Sequence, residues 1–529
     1  DAIAGVINMI TKKEIQGLHF DGSYGVSQRN DSDEKRISIT AGKGDLAADG
    51  YNVYISGEFQ KQAALYARDR GYPYNTLDYQ QICNDAGTSC MRNTNWNGVT
   101  AEQFRADPTK GFNGLFSIPG VSLIRPVTTA GATSGAGRFQ FLNPAAGCRE
   151  WKTITIAATQ SATSPLTTCE VDFQNAYRML QPELQRTGLT MRGTLNVTDN
   201  MQAYAMATFY KNDSYTISPP RGFNENVAQP RPAGLPAYNV ILPVYVCPTG
   251  VGTLNGLNTG CTSTNGTLNP NNPFAGAGQT AQISLRNPNP LTSRPKVSTY
   301  RAAAGVEGSF GDGWNYQADF TASKIDLTET RTGYLIPQRI MDVVARGQFN
   351  FSNPYATPQS VWDAISPTSV KSSTSNLWQV QGTLAKDLWT LPGGIMKAAI
   401  GASYRQEGVS APSGNPQNDL EPYSRYAVLN AVGAVGNRWV RSAYFETDAP
   451  VLEQVDLNVA GRYDDYSSGQ NHFSPKVGIK YTPFEQLALR STWSQGFRVP
   501  SFNEAFGLPT TGFVTSVIPC SNEIGRAHV

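Results

Sequence analysis

The sequence predicts an all-β protein, a transmembrane antiparallel β-barrel, from three observations. These are a repeated apolar/polar alternation, a regular inequality between short and long connections, and a composition poor in charge. The alternation is clearest over residues 455–499. Val455, Leu457, Val459, Gly461 and Tyr463 share one parity, and Asp456, Asn458, Ala460, Arg462 and Asp464 share the other. Successive side chains of a strand point to opposite faces, so this is a strand with one apolar face. The pattern recurs with Val477, Ile479 and Tyr481 against Lys476, Gly478 and Lys480, and again with Leu487, Leu489 and Trp493 against Arg490, Thr492 and Ser494. A tight Pro483-Phe484-Glu485-Gln486 turn separates the two. A soluble sandwich would also bury one parity. Strands of about ten residues, with aromatics near their ends and charge held to a single parity, fit lipid on one side and a lumen on the other.

Composition agrees. The 529 residues include 50 Gly and 24 Tyr, and only 16% are charged. Mean hydropathy is -0.35, so the long segments are polar. No run approaches the roughly 18 apolar residues of a spanning helix, and any crossing is therefore made by strands. A net charge of +2 shows no basic excess, which argues against nucleic acid as a partner. Asp1 is neither an initiator Met nor the start of a signal peptide, so the natural start is expected upstream.

In chain order, DAIAGVINMITKK holds an apolar run from Val6 to Ile10 that ends in two lysines and reads as one buried strand. Residues 19–28 and 35–44 read as the first two barrel strands, and Tyr51, Val53, Ile55, Gly57 and Phe59 mark the third. DLAADG joins the second to the third. From 68 to 182 no alternation is sustained, a length that fits a functional loop. The hairpin 184–197 and 202–218 turns at Thr198-Asp199-Asn200, and a second long loop follows over 219–295. Strands 297–310 and 314–328 meet at Gly311-Asp312-Gly313. A medium loop with a short helix at 339–346 precedes the pair 376–389 and 395–407, and a further hairpin spans 438–450 and 455–466. Every second connection is a few residues and the others are long, until the brief SSGQN link. Short turns at one end and long loops at the other are the outer-membrane pattern. About thirteen strands result, an odd number for a bacterial single-chain barrel.

DAIAGVINMITKK closely resembles the final segment of the plug domain of TonB-dependent outer-membrane receptors. YDDYS, FSPKVGIKY and WSQGFRVPSFNEAF resemble barrel strands and strand ends of the same family. The resemblance implies a globular plug inside a barrel of about twenty-two strands, of which about thirteen are present here. Residues 1–14 would be the C-terminal end of the plug, and 15–522 the N-terminal part of the barrel with long extracellular loops. It further implies a bacterial outer-membrane location and TonB-dependent active transport of a scarce nutrient, such as a ferric siderophore or an oligosaccharide. The implied partners are the TonB energy-transducing complex, reached through a segment upstream of Asp1, the small-molecule or oligosaccharide ligand, and outer-membrane lipid. Residues 523–529, EIGRAHV, match the translation of a common sequencing adapter and are expected to be foreign to the protein, which would be cut within the loop after the thirteenth strand. A passive porin would lack the plug-like opening. A secreted β-rich adhesin or binding protein would not set a polar parity beside a lipid-facing one in strand after strand.

All seven cysteines, Cys83, Cys90, Cys148, Cys169, Cys247, Cys261 and Cys520, fall in connections on the long-loop side. Neighbour spacing favours Cys83 with Cys90, Cys148 with Cys169 and Cys247 with Cys261, although six cysteines allow fifteen pairings. No CxxC or nearby histidine suggests zinc, so disulfides and an oxidising compartment follow.

No catalytic set emerges. His528 lies in the adapter-like tail, His19 in the first strand and His472 beside a hairpin. Asp464 and Asp465 are adjacent, so they point to opposite faces and cannot flank one substrate. They are expected to be solvated at the strand's outer end. No GxxxxGK[ST] or HExxH occurs, and GVGTLNG around Gly250 lacks the strand and helix of a nucleotide loop. The residues thus point to neither an enzyme nor a cofactor or metal site. Arg462, Lys476, Lys480, Arg490 and Arg498 share the polar parity and are expected to face the lumen, paired with carboxylates such as Asp456 or touching a plug or substrate. Tyr66, Tyr72 and Tyr74 are loop aromatics able to stack on a ligand.

Overall fold

A computed structural model of the chain describes residues 11–76, 118–127, 140–156, 166–223, 240–248, 252–254, 257–415, 422–427, 429 and 433–507. Its frame is one antiparallel sheet of thirteen strands, each paired with its neighbours in sequence. These are β1 (Gly17–Gly25), β2 (Glu34–Lys43), β3 (Tyr51–Gln62), β4 (Glu183–Thr198), β5 (Met201–Ser218), β6 (Leu291–Phe310) and β7 (Trp314–Thr332). The rest are β8 (Ser369–Leu391), β9 (Gly394–Ala411), β10 (Ala434–Leu452), β11 (Val455–Tyr466), β12 (Asn471–Phe484) and β13 (Leu487–Ser494). Among the described residues, no strand pairs with the outer edge of β1 or of β13, so the sheet is an open, incomplete barrel wall. No described helix is long and apolar enough to cross a membrane.

Cross-strand register carries the alternation from strand to strand. Leu18 faces Ala41 and Phe20 faces Ile39, Ile55 faces Met191, and Ala304 faces Phe320. Val380 continues that face from Phe320, and Val477 pairs with Val459 and Trp493 farther along. The result is a continuous exposed apolar surface, far larger than a soluble monomer shows and suited to hydrocarbon. Aromatics rim it. Phe310 and Trp314 stack across the β6–β7 turn with ring centroids 6.4 Å apart, and Phe209 meets Tyr300 at 5.3 Å about ten residues higher, one membrane crossing. The turn itself needs its glycines, because Gly311 and Gly313 have φ of 55° and 74°.

Several strands outrun their expected bounds. β6 begins at Leu291 and includes Pro295, and β8 begins at Ser369. The β5–β6 register lapses between Asp213/Lys296 and Thr216/Ser293, so the proline falls where the ladder toward β5 is interrupted. β12 likewise runs through Pro483 to Phe484 after a register shift, leaving a shorter turn than expected. The expected helix at 339–346 is Pro337–Ala345, with proline in its first turn, and a second helix, Gln359–Ile365, stands beside it.

The long connections were expected to be irregular, yet they fold together. Leu123–Val127, Gln140–Phe141, Ile241–Leu242 and Thr280–Ser284 form a four-stranded antiparallel sheet from two different connections. Its core joins Ile124 from the β3–β4 connection with Phe223, Leu242 and Ile283 from β5–β6, and with Ile340, Phe349, Phe351, Trp362 and Ile365 from β7–β8. Phe349 packs against Phe351 at 4.5 Å and against Phe223 and Trp362 at 5.2 Å each, two of them edge to face. A smaller core places Ile336 against Tyr426 and Leu429, bringing in the β9–β10 connection. We refer to this assembly as the external body. Residues 1–10, which hold most of the plug-like motif, and the tail 523–529 lie outside the described residues.

Candidate functional site: the inner wall and the external body

The polar parity forms the inner wall, and the residues just before β1 are strapped across it. Ile15 N donates to Asn52 Oδ1 at 3.1 Å, and Asn52 Nδ2 donates to the carbonyls of Ile15 at 2.9 Å and Gly44 at 2.7 Å. Asn52 is fully buried, so these bonds satisfy an amide that would otherwise be costly to bury. Tyr54 Oη donates to Lys12 O at 3.2 Å, Thr194 Oγ1 to Lys13 O at 2.9 Å, and Arg192 Nη1 to Thr11 Oγ1 at 2.9 Å. Lys13 pairs with Glu307. Beside the strap, the Arg192 guanidinium lies 4.7 Å from the Tyr204 ring centroid, and Tyr204 Oη donates to Asp319 Oδ1 at 2.8 Å. Asn196, Asn200, Gln202, Glu307, Asn315 and Gln317 line an open concavity of about 1050 Å³ at the turn end of this wall.

Gly42 sets how closely the strap can lie. A β-carbon there would stand 2.0 Å from Ile15 O and 2.8 Å from Ile15 C, which is backbone that must move. Gly42→Val is expected to lift the strap. Losing the Asn52 bonds at about 1 kcal/mol each raises the open population roughly tenfold or more, read as faster trypsin cleavage at Lys12 and Lys13 in the assembled protein. Unchanged cleavage would show that the strap is not held at this point.

The five cations expected on this face separate by environment. Arg462 Nε donates to Asp464 at 2.9 and 3.1 Å, while its Nη2 donates to Ser442 Oγ at 2.8 Å and Ser442 Oγ donates to Asp464 at 2.5 Å. Asp464 is only 3% exposed, which corrects the expectation that it is solvated. The guanidinium and hydroxyl replace its water, and that allows the burial. Lys480 pairs with Asp456 at 3.0 Å, and Arg498, beyond the end of β13, pairs with Glu504 at 2.6 Å. Lys476 and Arg490 are exposed, with no ion pair to any described residue. A second cluster was not singled out from sequence. In it Arg438 Nε meets Glu407 at 2.7 Å, Arg405 lies 3.5 Å from the same carboxylate, and Arg438 Nη1 donates to Pro500 O at 2.9 Å. Asn52, Tyr54, Arg192, Thr194 and Glu307 were also missed, although each stands on the polar parity of its strand.

In the external body, Cys148–Cys169 and Cys247–Cys261 are disulfides with Cα separations of 5.5 and 5.9 Å. Cys148 and Cys169 are buried among Ile118, Val121, Phe173 and Tyr177. Cys169 lies in a short strand, Leu166–Glu170, inside its connection rather than in irregular chain. Cys83, Cys90 and Cys520 lie outside the described residues. Arg68 covers the Tyr66 ring at 4.0 Å, while Tyr72 and Tyr74 are exposed. Tyr355 joins two connections, with Arg149 4.7 Å from its ring centroid and its hydroxyl donating to Glu150 at 3.2 Å. Burial and then the Glu150 charge push the Tyr355 hydroxyl up to about 12. His19 Nε2 donates to Gln16 O at 2.8 Å, a structural bond.

The first two external connections are clasped by Asp31 and Arg70, with bonds of 2.5 and 3.0 Å. Hydrogen bonds from Arg70 and then Ser27 hold the Asp31 carboxyl down at about 2, against 3.8 for a free carboxyl. Because the folded value is depressed, the clasp contributes its full stability above about pH 4 and loses it as pH falls through about 2. Hydrogen exchange over residues 63–76, corrected for intrinsic rates, is expected to hold between pH 5 and 4 and to rise below. Asp31→Asn should show the raised exchange throughout, and equal protection in the two proteins would remove the clasp from the account.

Residues 249–519 match the family described as "TonB dependent receptor-like, beta-barrel". No curated protein matches the chain. Among solved structures, a mutant of the ferric enterobactin receptor PfeA from Pseudomonas aeruginosa in complex with enterobactin is 10% identical, with 94% of this chain and 47% of that one covered at a TM-score of 0.44. The siderophore receptor PirA from Acinetobacter baumannii is 10% identical, with 93% and 44% covered at 0.42. The ferric-catecholate import receptor Fiu from E. coli K12 is 10% identical, with 92% and 56% covered at 0.41. The chain spans about half the length of these structures.

Proposed function

The chain belongs to the family of TonB-dependent receptor β-barrels, and on that premise we propose that it is the loop-bearing part of an outer-membrane transporter of a scarce nutrient. The observation that carries the proposal is the strap. Residues 11–16 enter β1 from across the inner wall, where Asn52, Tyr54, Arg192, Thr194 and Glu307 hold them, and a plug at 1–14 would leave the lumen along this path. The polar concavity at the turn end offers such a plug a wall of amides to dock on. In this reading the chain is a transporter component with no enzymatic role, and residues 15–522 form its partial barrel. Lys476 and Arg490 are cations left for plug or substrate. The external body takes the ligand, a ferric siderophore, an oligosaccharide or a similar nutrient, and a third disulfide, Cys83–Cys90, adds to its bracing.

A plug in the lumen blocks passive flow, so uptake should need force from the TonB complex while outer binding should not. In cells lacking TonB, the complete receptor is expected to bind ligand and to stop accumulating it. Accumulation that continues with diffusion kinetics would make the protein a passive porin. Shortening residues 77–117 should weaken binding while the barrel still assembles, because loops carry recognition and tolerate deletion. Peptide mapping without reduction reads the three cysteine pairs, and free thiols at Cys83 and Cys90 would remove the third.

A further inference from the structure

At the outer end of β6–β9 the alternation changes faces. Along β7, Tyr316, Ala318, Phe320 and Ala322 point outward, while Gln317, Asp319, Thr321 and Ser323 point into the lumen. Beyond Ser323 the order inverts: Lys324 and Asp326 point outward, and Ile325 and Leu327 point inward. A bulge would return the apolar set to its former face. None intervenes, because β6 pairs with β7 without a register shift from Thr292/Thr332 to Phe310/Trp314, and β7 with β8 from Trp314/Lys386 to Arg331/Ser369. The neighbouring strands share the inversion at the same height. Val297 of β6 pairs with Leu327, and Val409 of β9 joins Ile325 through Ser375. Leu377 of β8 stands one row lower, beside Ser323.

The result is an apolar patch on the lumen face of a wall that is otherwise polar. Ile325 is 40% exposed, so among the described residues nothing seals the patch. It starts at the height of the upper aromatic rim, since Ile325 follows Lys324, the partner of Tyr300. Gln317, which pairs with Glu307 near the strap, lies about 26 Å lower along β7. Cations surround the patch. Arg301, Arg331, Lys371, Arg405 and Arg438 share its rows and margins, against Glu329 and Glu407. Both carboxylates are already engaged, Glu329 by Arg331 at 2.6 Å and Glu407 by Arg438 at 2.7 Å. Arg301, one row below Ile325 and in line with Leu377, is exposed and makes no ion pair with any described residue. Arg405 Nε is buried without a hydrogen-bond partner among the described residues.

We propose that the patch is a subsite for a carboxylate bearing an aliphatic chain, with the carboxylate at Arg301 and the chain running outward over Leu377, Ile325 and Leu327. The inference rests on the transport reading and adds to it the chemistry of the cargo. Charge and apolarity select the occupant together. An oligosaccharide would set hydroxyls against the aliphatic side chains, and an inorganic anion would leave those side chains bare. The rows from Ser323 to Leu327 span about 13 Å, enough for a chain of medium length. Each methylene taken from water contributes up to roughly fourfold in affinity. The charge-assisted contact with Arg301 contributes roughly tenfold or more.

The test uses the complete receptor in zwitterionic lipid vesicles and, as probe, decanoate carrying a photoactivatable diazirine near its chain end. Labelled residues are read by tandem mass spectrometry, which separates the two faces of the wall because neighbours along a strand point apart. Label is expected on Ile325, Leu327 and Leu377. Unmodified decanoate should displace it, and decanol should compete roughly tenfold more weakly or worse. Arg301→Gln should weaken decanoate by a similar factor, and Arg301→Lys should recover part of the loss. The pair Ile325→Ser with Leu327→Ser should remove the gain in affinity with chain length while butyrate competes as before. Heat-modifiable migration shows that each variant is assembled. Label confined to outward residues such as Ala322 and Lys324, equal competition by decanol, or wild-type affinity in the assembled variants would overturn the subsite. An assembled receptor that stays unlabelled, whatever its dependence on TonB, also overturns it, the patch then being covered by the plug. Uptake that ignores TonB while labelling persists overturns the transport reading and leaves the subsite standing in a passive pore.

Discussion

Replacing Phe349 by alanine is expected to unfold the external body while the strands beneath remain paired. Phe349 is 1% exposed and touches Phe223, Phe351 and Trp362, so the change removes the ring that joins the β5–β6 connection to the β7–β8 connection. Deleting a buried phenylalanine costs about 3–5 kcal/mol, a large share of what so small a unit can hold. Hydrogen exchange should rise throughout residues 333–368 and 240–248, and, if the external body takes the ligand as proposed, binding should fall with it. Exchange in β6 and β7 should not change, because their ladders do not depend on the ring. Phe349→Leu keeps most of the volume and should cost no more than about 1.5 kcal/mol. If the alanine variant raised exchange near 349 only, the connections would be independent loops rather than one body.

The second large effect concerns closure. β1 and β13 each present one edge whose backbone donors and acceptors meet no described strand. In hydrocarbon each unpaired group costs several kcal/mol, so two bare edges outweigh anything the apolar face gains from lipid. Residues 1–522 expressed alone should therefore show neither heat-modifiable migration nor protease resistance in membranes, and the complete receptor should show both. A stable, inserted and conducting form of 1–522 would mean that the edges find each other and that thirteen strands suffice.

What could be read from the sequence follows from how local each signal is. Leu487, Leu489 and Trp493 announce a face within eight residues, and their register against Val477 and Tyr481 is what that pattern requires. Above the aromatic rim the apolar stripe stops. The upper part of β8, SVKSSTS, has Val370 as its one apolar residue and so shows no alternation, which left its start at Ser369 invisible. The helix Pro337–Ala345 showed itself through its own buried stripe, Ile340, Val343 and Val344. The external body did not, because each connection contributes only a short apolar run and the core exists only when distant runs meet. Asp464 was misread for a related reason: its partners Ser442 and Arg462 are set by pairing with another strand, which parity alone does not show. Asn52 and Tyr54 stood on the right parity, but nothing local told that a strap would cover them.

The shared core of the external body also dictates an order of events. Ile124 packs in the same cluster as Trp362 and Ile365, and Asn143 donates to the Ser352 carbonyl across a separation of 209 residues. No early portion of the chain can complete this unit by itself. Its first apolar runs, around Leu123 and Leu242, must wait with their surfaces unburied until residues 337–365 have been delivered to the same side of the membrane. Contacts of such long range form slowly because the loop-closure entropy comes first. The four strands β4–β7 lie between the earliest and latest contributors, and their insertion brings those contributors together. Maturation of this body is thereby timed by assembly of the wall, and a chain stalled partway through insertion would leave a set of sticky, half-formed segments uncovered.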